Sequence, residues 1–163
     1  MADPEAFAEF YRDTYAGLVA QLYAYTGNLG EAQDAAQEAY VRAWTRWRHV
    51  STFDDPRAWV CRVGYNVAIS RWRRARTALA ALYRHGPASS VPAPSSDLPD
   101  LVAALRQLPE PQRRAVVLFH MGGFGVAEIA RMEEAPEGTV KARLARGRQA
   151  LAGLLGTVEV GQP

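Results

Sequence analysis

A single cysteine in 163 residues leaves Cys61 without a second thiol for a disulfide or a shared structural zinc. That scarcity points to a reducing compartment and excludes a disulfide-stapled scaffold. Histidine is equally thin: His49, His85 and His120 are scattered, with no i, i+4 pair to hold a metal, and no phosphate-cradling glycine loop occurs. Gly122-Gly123-Phe124-Gly125 reads as a helix-connecting turn rather than a dinucleotide fingerprint. Neither an enzyme nor a metal or cofactor is therefore expected. The longest apolar runs, such as Ala78 to Tyr83 and Ala115 to Phe119, fall far short of the roughly 20 residues of a membrane span. The acidic start also lacks the basic n-region of a signal peptide, so the expectation is a cytoplasmic protein with no membrane insertion. Lysine is nearly absent too, with arginine outnumbering it 18 to 1, a bias that hints at a GC-rich genome.

What is present is enough apolar sequence, 48% against 22% charged, to bury a core, in a length suited to one domain or two small ones. The net charge of +2 hides a segregation. Residues 1–40 carry seven acids and one arginine, whereas residues 41–85 carry ten arginines and two aspartates. Residues 113–148 are basic again, with seven basic and four acidic side chains. Basic blocks favour polyanions and an acidic block favours a basic protein surface, so the pattern suits a molecule touching both nucleic acid and a protein. Solvated helix faces fit the charge pattern equally well.

The periodicity is helical throughout. Asp3 before Pro4 is a start signal, the carboxylate capping free amides and the proline fitting the first turn. Phe7, Phe10, Tyr11, Leu18, Leu22 and Tyr23 recur at helical spacing until Gly27-Asn28. From Glu31 a second helix puts Ala32, Ala35, Ala36, Ala39, Tyr40, Ala43, Trp44 and Trp47 on one stripe and Asp34, Gln37, Glu38 and Val41 opposite. Asp55-Pro56 opens a third helix running to about Arg84. Residues 85–99 hold four prolines and four serines and read as a flexible linker. Shorter helices follow over Leu101 to Leu108, Pro111 to about Met121, Val126 to about Met132, and Glu137 to about Leu155. The expected fold class is all-α: a helical domain over 1–84, the linker over 85–99, a helix-turn-helix domain over 100–156 and a tail over 157–163.

Two segments carry chemistry. In the last helix Val140, Leu144, Gly147 and Leu151 point inward, while Gly138, Ala142, Ala145, Arg146 and Gln149 face away between Lys141, Arg143 and Arg148. Small residues beside arginines suit close approach to a major groove, where an arginine can fork onto a guanine edge. An amphipathic packing helix with a solvated basic face is the alternative. In the third helix Arg62, Asn66, Ser70, Arg73 and Arg74 share one quadrant, and all four tryptophans lie among the ten arginines of that stretch. Such a mixture can stack unpaired bases and hold a phosphate chain. Trp44 and Trp47 continue an apolar stripe and are expected in the core, and Arg48 to Asp54 is expected as a polar loop able to receive a base.

In this order the motifs resemble the extracytoplasmic-function sigma factors, promoter-recognition subunits of bacterial RNA polymerase. The strings that carry the resemblance are Thr26-Gly27-Asn28, Glu31-Ala32-Gln33-Asp34-Ala35-Ala36-Gln37-Glu38-Ala39-Tyr40, Asp55-Pro56-Arg57-Ala58-Trp59, Asn66-Val67-Ala68-Ile69, Glu128-Ile129-Ala130 and Gly138-Thr139-Val140-Lys141-Ala142-Arg143-Leu144-Ala145-Arg146. The resemblance implies that Asp34, Gln37, Glu38 and Val41 dock on the clamp helices of core RNA polymerase. It implies that Arg48, His49, Ser51, Phe53, Arg62, Asn66, Ser70, Arg73 and Arg74 hold the opened minus-ten element and capture a flipped base. It implies that Arg113, Thr139, Lys141, Ala142, Arg143, Arg146 and Gln149 read the minus-thirty-five element, that Leu108 to Arg113 helps to engage the polymerase flap, and that an anti-sigma factor clamps the two domains. The chain departs from the family pattern at Glu133-Glu134-Ala135-Pro136, where two acids stand in place of a hydrophobic residue and a turn glycine, at Ser70, where aspartate is common, and at Ala142 and Ala145. A free-standing helix-turn-helix regulator would leave the Arg/Trp segment unexplained, and an interaction protein with decayed DNA reading is the remaining alternative.

Overall fold

A computed structural model describes residues 3–82 and 99–156. Eight α-helices occur among them: α1 (Pro4–Thr26), α2 (Leu29–Thr45), α3 (Trp47–Val50), α4 (Pro56–Leu82), α5 (Pro99–Gln107), α6 (Glu110–His120), α7 (Val126–Glu133) and α8 (Glu137–Leu155). The all-α, two-domain fold class stands. The expected linker lies outside the described residues except for Pro99, which opens α5, and so do the tail from 157 and the final two residues expected in the third helix.

The ends of the helices follow from their sequence. The Asp3 carboxylate accepts from the Glu5 and Ala6 amides at 3.0 and 3.2 Å, and α1 stops where Gly27 turns left-handed at φ 74°. Asn28 then caps α2 by accepting from the Glu31 amide at 2.9 Å, placing the start of that helix two residues before the periodicity suggests. Asp55 accepts from the Ala58 amide at 3.3 Å at the start of α4.

In the first half α2 packs against both α1 and α4 through a stripe of alanines. Ala32, Ala35, Ala36, Ala39 and Ala43 are fully enclosed, which brings the neighbouring helices close. Larger groups fill the space beside the stripe: Leu18, Leu22 and Tyr25 from α1, and Val60, Cys61 and Tyr65 from α4. The Tyr65 hydroxyl, fully buried, donates to Gln21 Oε1 at 3.2 Å, so the buried polar pair satisfies itself. An aromatic cluster of Phe7, Phe10, Tyr11, Tyr15, Tyr40 and Trp47 closes the other end.

Two expectations are corrected. Trp47 is buried, but Trp44 is 42% exposed, its ring packing on Phe7 at the rim of the cluster. The stretch expected as a polar loop begins with the helical turn α3, whose Trp47 and Val50 anchor it to the core and whose other residues project outward. In the second half α8 packs on α6 and α7, and α5 closes on α8.

The halves do not stand apart. α1 contacts α5 and α6, α4 contacts α7, and one continuous buried cluster runs from Leu18 through Tyr65 to Phe124 and Leu144. Leu22→Ala is expected to destabilise the chain by about 2 to 5 kcal/mol in urea denaturation; a cost below 1 kcal/mol would contradict its place in that cluster. Burial pushes the Cys61 thiol up to about 12, ahead of the opposing pull of Arg57. The thiol is therefore expected to resist alkylation at pH 8 until the chain unfolds, and rapid labelling of the native protein would refute its enclosure.

Candidate functional site

With its inner side committed to alanine, α2 turns Asp34, Gln37 and Val41 outward, Val41 at 61% exposure, with Glu38 partly covered. Phe7, Tyr11, Tyr40 and Trp44 floor a shallow apolar hollow beside Gln37 and Val41. The carboxylates are held in place. Glu38 accepts from Arg42 Nη2 at 2.7 Å and from Arg71 Nη2 at 2.9 Å, and Arg71 Nη1 stands 3.7 Å from Asp34 Oδ2. Partial burial works to raise the Glu38 carboxyl, but the two guanidinium groups outweigh it and hold the group below the ordinary glutamate range. Arg71 reaches α2 from α4, 33 positions away in sequence, and no local signal marks it.

Around α3, Arg48, His49 and Ser51 are exposed and Phe53 is half-buried, with the His49 ring edge-on to Phe53 at 4.9 Å. Along α4 the spacing brings Arg62, Asn66, Ser70 and Arg74 onto one line, with Arg73 beside it. Ser70 is half-buried and accepts from Arg74 Nη2 at 3.4 Å; Arg73 and Arg74 are open. Trp72 is 38% exposed under the Arg76 guanidinium.

The second half contains a formed helix-turn-helix. Glu134 adopts the left-handed conformation at φ 53°, and the Ala135 amide reaches back to the Ala130 carbonyl at 3.0 Å. Glu134, directly after the last residue of α7, thus holds the left-handed position of the turn. Ile129, Val140 and Leu144 bury the helix pair, and Gly147 lies so close to α6 that a Cβ there would stand 2.6 Å from Val116 Cγ2. The outward side of α8 presents Lys141, Arg146 and Gln149 fully and Thr139, Ala142 and Arg143 in part. Arg148 does not join them, because its Nε donates to His120 Nε2 at 3.0 Å and its guanidinium lies over Phe119.

Arg113 lies elsewhere. Half-buried, it donates from Nη1 to the Tyr25 carbonyl at 2.8 Å and lies over the Tyr25 ring, tying α6 to α1. Its neighbour Arg114 is 8% exposed. Arg114 Nε stands 2.5 Å from Glu133 Oε1, while Nη2 donates to Asn66 Oδ1 at 3.1 Å. Burial raises the Glu133 carboxyl against the pull of Arg114. Arg62 Nη2 meets Glu134 Oε2 at 3.4 Å, and Arg57 Nη1 donates to the Gly122 carbonyl at 2.5 Å with its guanidinium over Phe124. The second half thus touches the very line of α4 that carries Arg62 and Asn66. These cross-chain partners escaped the sequence, where only the unusual acids at 133 and 134 hinted at a role for that turn.

Residues 10–78 match Sigma-70 region 2 and residues 99–151 match Sigma-70, region 4. The ECF RNA polymerase sigma factor SigM of Mycobacterium tuberculosis is 35% identical over 165 aligned positions, covering 98% of this chain and 82% of that protein. SigW of Bacillus subtilis is 30% identical, covering 91% and 88%. In fold the chain resembles the sigma factor RpoE from Bartonella quintana, solved in complex with the anti-sigma factor NepR, with a TM-score of 0.82 at 23% identity over 95% of this chain and 99% of that one. The chain belongs to the sigma-70 family and, within it, to the extracytoplasmic-function sigma factors. Its work is promoter-specific transcription initiation with RNA polymerase, and the family is not one of enzymes.

Because the Glu38 carboxyl is held low in the folded chain, its contribution to stability is present above the unfolded value and is lost as pH falls through the folded one. Arg71→Ala is expected to cost up to about 1 kcal/mol at pH 7, given the partial exposure of the pair. In denaturation curves that gap should close in acid; an undiminished gap at pH 3 would show that Arg71 acts by packing alone.

Proposed function

We propose that the chain binds core RNA polymerase through the α2 face of Asp34, Gln37, Glu38 and Val41, and reads two promoter elements with two separate basic surfaces. The carrying observation is the division of labour on α2. One side is locked into the core by alanine, and the other offers ordered carboxylates next to an exposed apolar hollow, a combination suited to a basic, partly apolar protein surface such as the polymerase clamp helices.

The minus-ten strand is assigned to Arg48, His49, Ser51 and Phe53 around α3 and to Arg62, Asn66, Ser70, Arg73 and Arg74 on α4. Open arginines hold phosphates there, and the His49–Phe53 pair offers ring faces to an unstacked base. The minus-thirty-five duplex is assigned to Thr139, Lys141, Ala142, Arg143, Arg146 and Gln149 on α8. With small side chains at 142 and 145, reading leans on arginine and on DNA shape more than on many hydrogen bonds. Arg113 serves this surface indirectly, by fixing α6 at the half-buried station it occupies, and Leu108 to Arg113 faces the flap. An anti-sigma factor is the proposed regulator, as the solved relative RpoE is bound to one named NepR.

Run-off transcription with purified bacterial core polymerase on a promoter pool tests the reading. New starts sharing two upstream elements are expected. Binding to core without starts would favour an interaction protein, and binding to duplex DNA without core would favour a free-standing regulator. On a promoter so identified, Arg146→Ala is expected to weaken binding at fixed salt by about 1 to 3 kcal/mol and to relax preference at one upstream base pair; unchanged binding would remove Arg146 from base reading.

A further inference from the structure

Cys61, Tyr65 and Ala68 follow one another along α4 in steps of four and three, and all are buried. The same alternation then continues without a break to Trp72, Ala75, Leu79 and Leu82. Steps of four and three are the spacing of a coiled-coil seam, which turns one continuous side of a helix toward a second helix. From Trp72 onward every residue of α4 is exposed, Leu79 at 40% and Leu82 at 58%. A lone exposed leucine is ordinary. Four apolar positions in register with a buried seam are a side of the helix that the described residues leave uncovered.

The charges beside the seam are of one sign. α4 carries six arginines and no acid along its whole length. Arg71 and Arg76 take the two positions that border Trp72, the ones that set partner choice in a coiled coil. Arg71 is engaged by Glu38 and Asp34 of α2, whereas Arg76 lies over the Trp72 ring, its Cζ 4.8 Å from the centroid. Glu110, which lines the small hollow beside Trp72, is taken up by Tyr25 and Arg113.

We propose that the outer third of α4 is a docking seam for an acidic amphipathic helix of a partner protein, with Trp72, Ala75, Leu79 and Leu82 taking its apolar side and Arg76 meeting its carboxylates. The unbroken spacing calls for a helix, and the arginines call for acid on that helix. A nucleic acid gains nothing from two leucines and an alanine. A second copy of the chain would set Arg71 and Arg76 against their own kind, whichever way the two helices ran.

The test uses the full-length chain and a fluorescent synthetic peptide of three heptads, leucine at its two seam positions and glutamate at the flanking ones, where like charges keep it from pairing with itself. A counterpart carries lysine at the flanking positions. Binding is read by anisotropy, folding by circular dichroism and self-association by sedimentation velocity. The glutamate peptide should bind, more weakly as salt is raised, and the lysine peptide should not. Leu79→Gln with Leu82→Gln should leave the fold intact, since both side chains are exposed, and should weaken binding by about tenfold or more. Arg76→Glu should weaken the glutamate peptide and admit the lysine one. The proposal is overturned if the glutamate peptide does not bind the parent chain, if both peptides bind it equally, or if the double variant binds as the parent does. A parent chain that dimerises where the double variant stays monomeric would give the seam to a second copy and overturn the acidic partner as well.

Discussion

A guanidinium almost without access to water has to be compensated where it stands, and Arg114 is the place where this chain meets that demand. Two other helices converge on it. α7 ends so that Glu133 lies against Nε, and α4 presents Asn66 to Nη2 and the Tyr65 ring, whose centroid is 5.3 Å from Cζ. Because its partners come from two other helices, the charge ties α7 and α4 to α6. The turn of the helix-turn-helix and the first half are thus joined at this side chain.

Much of this was legible in the sequence, and the reason lies in local chemistry. Asp3 and Asp55 state where helices begin because their caps act within three residues. The inward series Val140, Leu144, Gly147 fixes the outward side of α8 by geometry alone. What was not legible depends on chain segments that meet only after folding. Trp44 shares its helical stripe with buried alanines yet lies at the rim of the aromatic cluster, and α3 exists because Trp47 and Val50 find apolar partners that its short sequence does not advertise.

Arginine explains the largest misreading. A guanidinium can grip a phosphate or cap a carbonyl, and composition does not distinguish the two. Arg57 and Arg113 both spend a donor on a backbone carbonyl of the opposite half, and both lie over an aromatic ring there. Part of a charge block that looked like a nucleic-acid footprint is therefore mortar between helices. The rest, including Arg73, Arg74 and Arg146, stays open to solvent.

The two-sided character of α2 bears on how such a chain diversifies. Its inner positions already hold alanine in a space with no exposure left, so drift there is closed in the direction of size and opens only toward glycine. Its outer positions touch little of the chain's own core. A lineage can therefore rewrite the exposed surface residue by residue while the scaffold beneath stays still, and divergence among descendants should accumulate along one edge of a single helix.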